Sequence, residues 1–120
     1  MPELPDVTVY VEHLARRTVG HVLERVRLAS PFVLRTADPP LHAAHGRQVD
    51  NVSRLGKRIV FWLSGPPPLY LVIHLMIAGR FRWKPLGAPV PGKIGLAAFD
   101  FAPSPGSARP EGGTLILTEA

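Results

Sequence analysis

The sequence predicts a mainly β protein with flanking helices, an antiparallel β-sandwich carrying one long N-terminal helix. Three observations lead there. One helical apolar face runs over residues 3–19, and a series of short apolar or alternating segments follows it. The segments are separated by turn-forming stretches, and proline makes up 14 of the 120 residues against a norm of about 5%. Many strands with tight proline- and glycine-rich connections argue for antiparallel pairing, and the length suits one compact domain with a modest core.

In the helix, Val7, Tyr10, Val11, Leu14 and Ala15 recur at i, i+3, i+4, i+7 and i+8, with Glu12, His13, Arg16 and Arg17 mostly opposite. Pro5 is tolerated only in a first turn, where its missing N–H would have no partner. Asp6 puts negative charge near the positive end of the helix dipole, and Gly20 is a stop signal. The period then changes to two. "VLERVRLAS" sets Val22, Glu24, Val26 and Leu28 against Leu23, Arg25 and Arg27, the pattern of a half-buried strand. A loop containing Asp38, Pro39 and Pro40 leads to "LHAAHG", a short segment of helical character. Further strand candidates are "RQVDNVSRL", "KRIVFWL", "LYLVIHLMIAGRFRW", "GLAAFDF" and "TLILTEA". "SGPPP", "PLGAPVPGKIG" and "APSPGSARPEGG" connect them. The last strand ends with the chain, with no closing turn or cap, so the sequence reads as a fragment of something longer.

Composition narrows the function classes. The chain has no cysteine, which excludes a disulfide scaffold and any thiolate zinc site within it, and agrees with a reducing compartment. Its first residues are acidic and proline-rich, unlike a signal peptide, and no apolar run approaches the ~20 residues of a membrane helix. A cytoplasmic protein without membrane contact is expected. Lys and Arg exceed Asp and Glu by 14 to 9, which favours nucleic acid or another polyanion as partner. An ordinary basic protein explains the same charge. His42 and His45 are spaced i, i+3, but no third metal ligand is evident, so both read as surface histidines.

The opening "MPELPDV" crowds prolines and carboxylates into the terminus. Removal of Met1 is expected before a residue as small as proline, and Pro2 would then carry a free secondary amine. A terminal amine titrates near ~7.7–8.0 against ~10.4 for lysine, so far more of it is neutral and nucleophilic at pH 7. With an aldehyde carbon a secondary amine forms only a cationic iminium, an electron sink that suits elimination from the neighbouring carbon. Glu3 beside it could shuttle the proton. The plainer reading of both residues is a rigid helix entry with a favourable dipole charge.

"MPELPDV" also closely resembles the opening of the formamidopyrimidine-DNA glycosylase and endonuclease VIII-like base-excision repair enzymes. "RLGKRIVFWL" is similar to their segment bearing a functional lysine, and "LVIHLMIAGRFRW" to their His-Leu-Gly-Met-Ser-Gly strand and turn. The resemblance covers essentially the whole chain in order and spacing. It implies a bifunctional N-glycosylase and abasic-site lyase acting on damaged double-stranded DNA as a monomer, in the bacterial cytoplasm at the nucleoid. On this resemblance Pro2 is the nucleophile at the sugar C1′ and Glu3 the acid–base group. Lys57 matches the lysine of the elimination step and of a backbone phosphate, whereas Arg54 and Arg58 match nothing specific. His74 and Arg80 match phosphate contacts, with Gly79 and Arg80 in a turn that approaches DNA.

Departures from the family pattern matter too. Met76-Ile77 stands where the family has Gly-Met, so either Met76 or Ile77 would fill the gap left by a flipped base. "PGKIGLAAF" lacks the family's DNA-contacting histidine, leaving Lys93 as the nearby cation. Family members continue into a helix–two-turns–helix domain and usually a zinc finger. The 120 residues therefore read as the N-terminal catalytic domain alone, with no cofactor of its own and the family's zinc in the part beyond. Two other readings stay open: a DNA-binding remnant without turnover, and a tautomerase-like enzyme using an N-terminal proline. The second would leave the Lys57 and His74 segments unexplained.

Overall fold

The structure, a computed structural model, describes residues 4–29, 41–74, 80–107 and 110–118. Helix α1 spans Leu4–Thr18. Its apolar face meets the core as the spacing requires: Leu14 is buried, and Tyr10, Val11 and Ala15 pack partly buried against the same cluster. The helix ends where Gly20 adopts φ 89°, a conformation costly for any residue with a Cβ. There Thr18 Oγ1 donates to the Leu14 carbonyl at 2.7 Å, and the Gly20 N–H donates to Val49 O at 2.9 Å. His21 follows, fully buried. Its Nδ1 lies 2.6 Å from the Ala102 carbonyl oxygen, to which it donates, and its Nε2 faces the Ser107 hydroxyl at 3.0 Å.

The strands are β1 (Val22–Leu28), β2 (Arg47–Leu55), β3 (Arg58–Leu63), β4 (Leu69–His74), β5 (Arg80–Lys84), β6 (Gly95–Phe101) and β7 (Gly113–Thr118), with one turn of 3-10 helix at Leu41–Ala44. β-Branched and aromatic residues dominate β3 and β4, as a half-buried pleated surface favours. All pairings are antiparallel, in the order β4-β3-β2-β1-β6-β7-β5. In a flat sheet β3 and β6 would stand about 14 Å apart, three strand spacings. Instead, Phe61 of β3 meets Phe99 and Phe101 of β6 with ring centroids 6.5 and 6.0 Å apart. The continuous sheet therefore folds over on itself, and the two halves make the expected sandwich around one core.

Three expectations need adjustment. "LYLVIHLMIAGRFRW" forms two strands, β4 and β5, on opposite edges of the sheet order. In β1 the two-residue alternation breaks, because the register with β6 shifts between Leu23 and Arg25. The bulge turns Glu24 and Arg25 both outward and leaves Leu23 and Val26 as the buried positions, with Leu28 exposed. His45 is not a plain surface histidine. Its Nε2 accepts the Val26 N–H at 3.0 Å, and burial, then the nearby His42 and Arg25 charges, lower its pKa and hold it neutral. His42 is exposed as expected, and among the described residues α1 is the one α-helix flanking the sheet.

The helix is pinned to β5 by its own side chains. Tyr10 meets Phe81 edge-on at 5.6 Å, and the Arg17 guanidinium lies 5.3 Å from the Trp83 ring centroid. Trp83 in turn stacks on Phe101 at 6.1 Å. It can lie there because Gly113 has no side chain: a Cβ at that position would fall inside the Trp83 indole. Gly113→Ala is expected to displace Trp83 and cost about 1–3 kcal/mol by overpacking. A denaturant titration followed by tryptophan fluorescence checks this, with a shifted native-state spectrum as the accompanying sign.

Candidate nucleic-acid interface

Within each half of the folded sheet, register decides which residues share an end. Leu55 closes β2 opposite Arg58, the first residue of β3, and Arg58 stands opposite His74, the last of β4. Gly56, with φ 61°, and Lys57 form the two-residue turn between β2 and β3. Lys57, Arg58 and His74 therefore lie side by side, all exposed. On the other half of the sheet, Thr118 at the end of β7 is flanked by Arg80 of β5 on one side and Gly95 of β6 on the other. Lys93 is in the turn immediately before Gly95 and is exposed. Arg80 follows His74 by six residues, so their Cα atoms are within about 20 Å.

The helix supplies the link between the two halves. Its C-terminal end bonds to Val49 at the far end of β2, and Tyr10 and Arg17 contact Phe81 and Trp83 in the same order along both elements. Going toward Leu4, the helix therefore runs toward Arg80 and toward the Lys57 turn. Lys57, His74, Arg80 and Lys93, separate in sequence, thus share one end of the molecule with the start of α1. Pro2, Glu3, Met76, Ile77 and Gly79 lie outside the described residues. The cleft lined by Arg16, Gln48, Ser104 and Ser107 is at the opposite end.

Sequence reasoning passed over two features here. Arg58 is the Cα partner of His74, a neighbour its solvated-looking sequence context did not reveal. Asp100 is a lone carboxylate in the apolar strand "GLAAFDF", a signal for a buried, partnered acid. It is 2% exposed. Arg27 grips it with a fork, Nε to Oδ2 at 3.0 Å and Nη2 to Oδ1 at 2.8 Å, while Arg25 Nε donates to Oδ2 at 2.8 Å and the Thr114 hydroxyl to Oδ1. Arg27 also donates to the Ala88 carbonyl at 2.7 Å, and the Gly87 N–H to Thr114 Oγ1 at 2.8 Å. The cluster thereby ties the β5–β6 connection, which carries Lys93, across the outer face of the sheet.

Burial alone would raise the Asp100 carboxyl, but the hydrogen bonds from Arg27, Thr114 and Arg25 outweigh it and hold its pKa below the ordinary value. A carboxyl lowered in this way contributes its stability above the unfolded-state value near ~3.9, and loses it as pH falls through the lower folded value. Asp100→Asn is expected to cost about 1–3 kcal/mol at pH 7. It should also flatten the fall in stability below about pH 4. Parallel urea titrations of the two proteins across acidic pH measure both effects.

Comparison with known proteins agrees with this architecture. A family model described as the formamidopyrimidine-DNA glycosylase N-terminal domain matches residues 1–111. The chain belongs to this family. It is 34% identical over 106 residues to the formamidopyrimidine-DNA glycosylase of Mycoplasma genitalium, covering 84% of this chain and 36% of that one. The corresponding protein of Deinococcus radiodurans is 33% identical over 89 residues, covering 68% of this chain and 30% of its own length. Among solved structures, a complex between the Lactococcus lactis Fpg and an abasic-site DNA matches with TM-score 0.79 and 25% identity. That match covers 99% of this chain and 40% of the other. A complex of the same enzyme with an oxidised-pyrimidine DNA gives 0.78 at 26% identity, over 98% and 40%. The chain thus spans well under half of these family members.

Proposed function

We propose that this chain is the catalytic N-terminal domain of a base-excision repair glycosylase, removing a damaged base from double-stranded DNA and then cleaving the strand at the abasic sugar. The observation that carries this reading is the gathering of Lys57, His74, Arg80 and Lys93 at the end toward which α1 begins, in a chain of this family. Its relatives are named formamidopyrimidine-DNA glycosylases, and its structural neighbours include complexes with abasic-site and oxidised-pyrimidine DNA. The same class of substrate is proposed here.

The chemistry follows from a secondary amine beside a carboxyl. With Met1 removed, the Pro2 nitrogen forms a bond to C1′ of a nucleotide flipped out of the stack, and the base leaves with the glycosidic electron pair and a proton. Nitrogen lone-pair donation then breaks the C1′–O4′ bond, Glu3 protonates O4′, and a cationic iminium results. Loss of a C2′ proton expels the 3′ phosphate with its bonding pair, which nicks the strand. Water finally releases the sugar and regenerates the amine. The iminium is its own electron sink, so the reading assigns no metal to these steps and leaves the family's zinc to its zinc finger. Lys57 acts in the elimination and holds a backbone phosphate. His74, Arg80 and Lys93 hold further phosphates, and Met76 or Ile77 occupies the gap left by the base. The proposed setting is a monomer in the cytoplasm at the nucleoid, and no described helix is long and apolar enough to cross a membrane.

Borohydride trapping on an abasic-site oligonucleotide tests the proposal. A covalent adduct is expected from the chain with Pro2 at its N-terminus, and none when Met1 is retained. Adduct formation at an equal rate with the terminus blocked would remove Pro2 from the mechanism. Failure of trapping, both here and in a protein extended through the helix–two-turns–helix and zinc-finger regions, would leave a binding remnant. Lys57→Ala is expected to slow strand cleavage by about 100-fold or more, on the scale of a lost acid–base group. Single-turnover cleavage in the extended protein measures it, and an unchanged rate would reduce Lys57 to bulk charge.

A further inference from the structure

We propose that β5 carries a phosphate track beyond the reaction centre, in which Arg82 and Lys84 continue from Arg80 and seat one DNA strand along the sheet edge. The inference rests on the DNA-repair reading above and extends its binding surface. β5 reads "RFRWK" and alternates strictly: Arg80, Arg82 and Lys84 are exposed, whereas Phe81 and Trp83 turn inward against the core. Its cross-strand partners settle the faces. Trp83 is opposite Leu115 and Phe81 opposite Leu117, both in the central core cluster. Ile116, opposite the exposed Arg82, is buried but outside that cluster, which puts Arg82 on the outer side. Every outward position of this strand is a cation.

Spacing and position give the track its direction. Side chains at i and i+2 on one face are about 6.8 Å apart, comparable to the separation of successive phosphates along one strand of nucleic acid. The row begins at Arg80, on the end that holds Lys57 and His74, and leads away from it along a strand that, among the described residues, is an edge paired only to β7. The backbone beneath is rigid, because Trp83, between the two proposed contacts, is clamped by Arg17 and Phe101. Of the acids on that outer face, Asp100 is buried and occupied by Arg25 and Arg27, while Glu24 lies with it beside Leu86 and Gly87 of the β5–β6 connection. Charged residues on an edge strand also discourage edge-to-edge pairing, but that role needs neither a single sign nor continuity with a phosphate-binding end.

Salt-dependent binding separates these roles. Affinity for a duplex carrying a tetrahydrofuran abasic analogue, and for its undamaged counterpart, would be measured by fluorescence anisotropy from about 50 to about 200 mM salt. Arg82→Gln and Lys84→Gln are each expected to weaken binding several-fold on both duplexes and to reduce the slope of log affinity against log salt by about 0.9. Arg16→Gln, exposed on α1, removes the same charge and is expected to leave the slope unchanged. Unchanged slopes in both β5 variants, with wild-type binding intact, would overturn the track and leave the proposed function standing. Self-association of those variants at an unchanged slope would overturn it in favour of edge protection. A wild-type chain that binds neither duplex at any salt would sink the DNA-repair reading and the track together. Reduced slopes would uphold the track even if covalent trapping failed.

Discussion

Antiparallel hydrogen bonding across one continuous seven-stranded sheet is the constraint from which the rest of this molecule follows. In such a ladder each strand start lies beside its neighbour's end, so the pairing partners fix which turns share a face of the domain. Pairing sets the Lys57 turn beside the end of β4, and the start of β5 beside the end of β7 and the start of β6. The folding of the sheet at the short β1–β2 junction, with α1 packed across both halves, brings the two groups to one end. The site is in this sense a property of the register within each half and of the fold-over between them. A slip of one residue in β3 would turn its inward row to the solvent and carry Arg58 away from His74.

What holds the register is aromatic packing inside and one charged cluster outside. Phe61, Phe99 and Phe101 bring distant strands of the same sheet into contact, and Trp83 extends that stack to the edge strand and to Arg17 of the helix. On the opposite surface of β6, Asp100 gathers β1, β7 and the β5–β6 connection through charge-assisted hydrogen bonds. Breaking that cluster by removing the acid leaves Arg27 partly buried without its partner, which is why so small a change is costly. The two sets of contacts act on one strand, β6, from its two faces.

Much of this was legible in the sequence because it is local. Tyr10, Leu14 and Gly20 mark the helix face and its stop, and the limits of β2, β3 and β6 follow the apolar segments closely. The opening motif and the Lys57 and His74 segments pointed to the family to which the chain belongs. What period and propensity could not convey is pairing. The bulge at Leu23–Arg25 depends on the partner strand, and the division of "LYLVIHLMIAGRFRW" into strands at opposite sheet edges depends on the sheet folding over. Asp100 was passed over because its partners, Arg25 and Arg27 of β1 and Thr114 of β7, come beside it only through strand pairing.

The central claim is that DNA meets the end of the sandwich at which Lys57, His74, Arg80 and Lys93 gather. Backbone amide shifts of the isotopically labelled chain, recorded while an abasic-analogue duplex is titrated in, test it most directly. The account predicts changes concentrated at residues 54–58, 74, 80–84, 93–95 and 118, with Val49, Leu63, Leu69 and the 102–107 connection unaffected. Changes centred on that second group would place DNA at the opposite end and contradict the account.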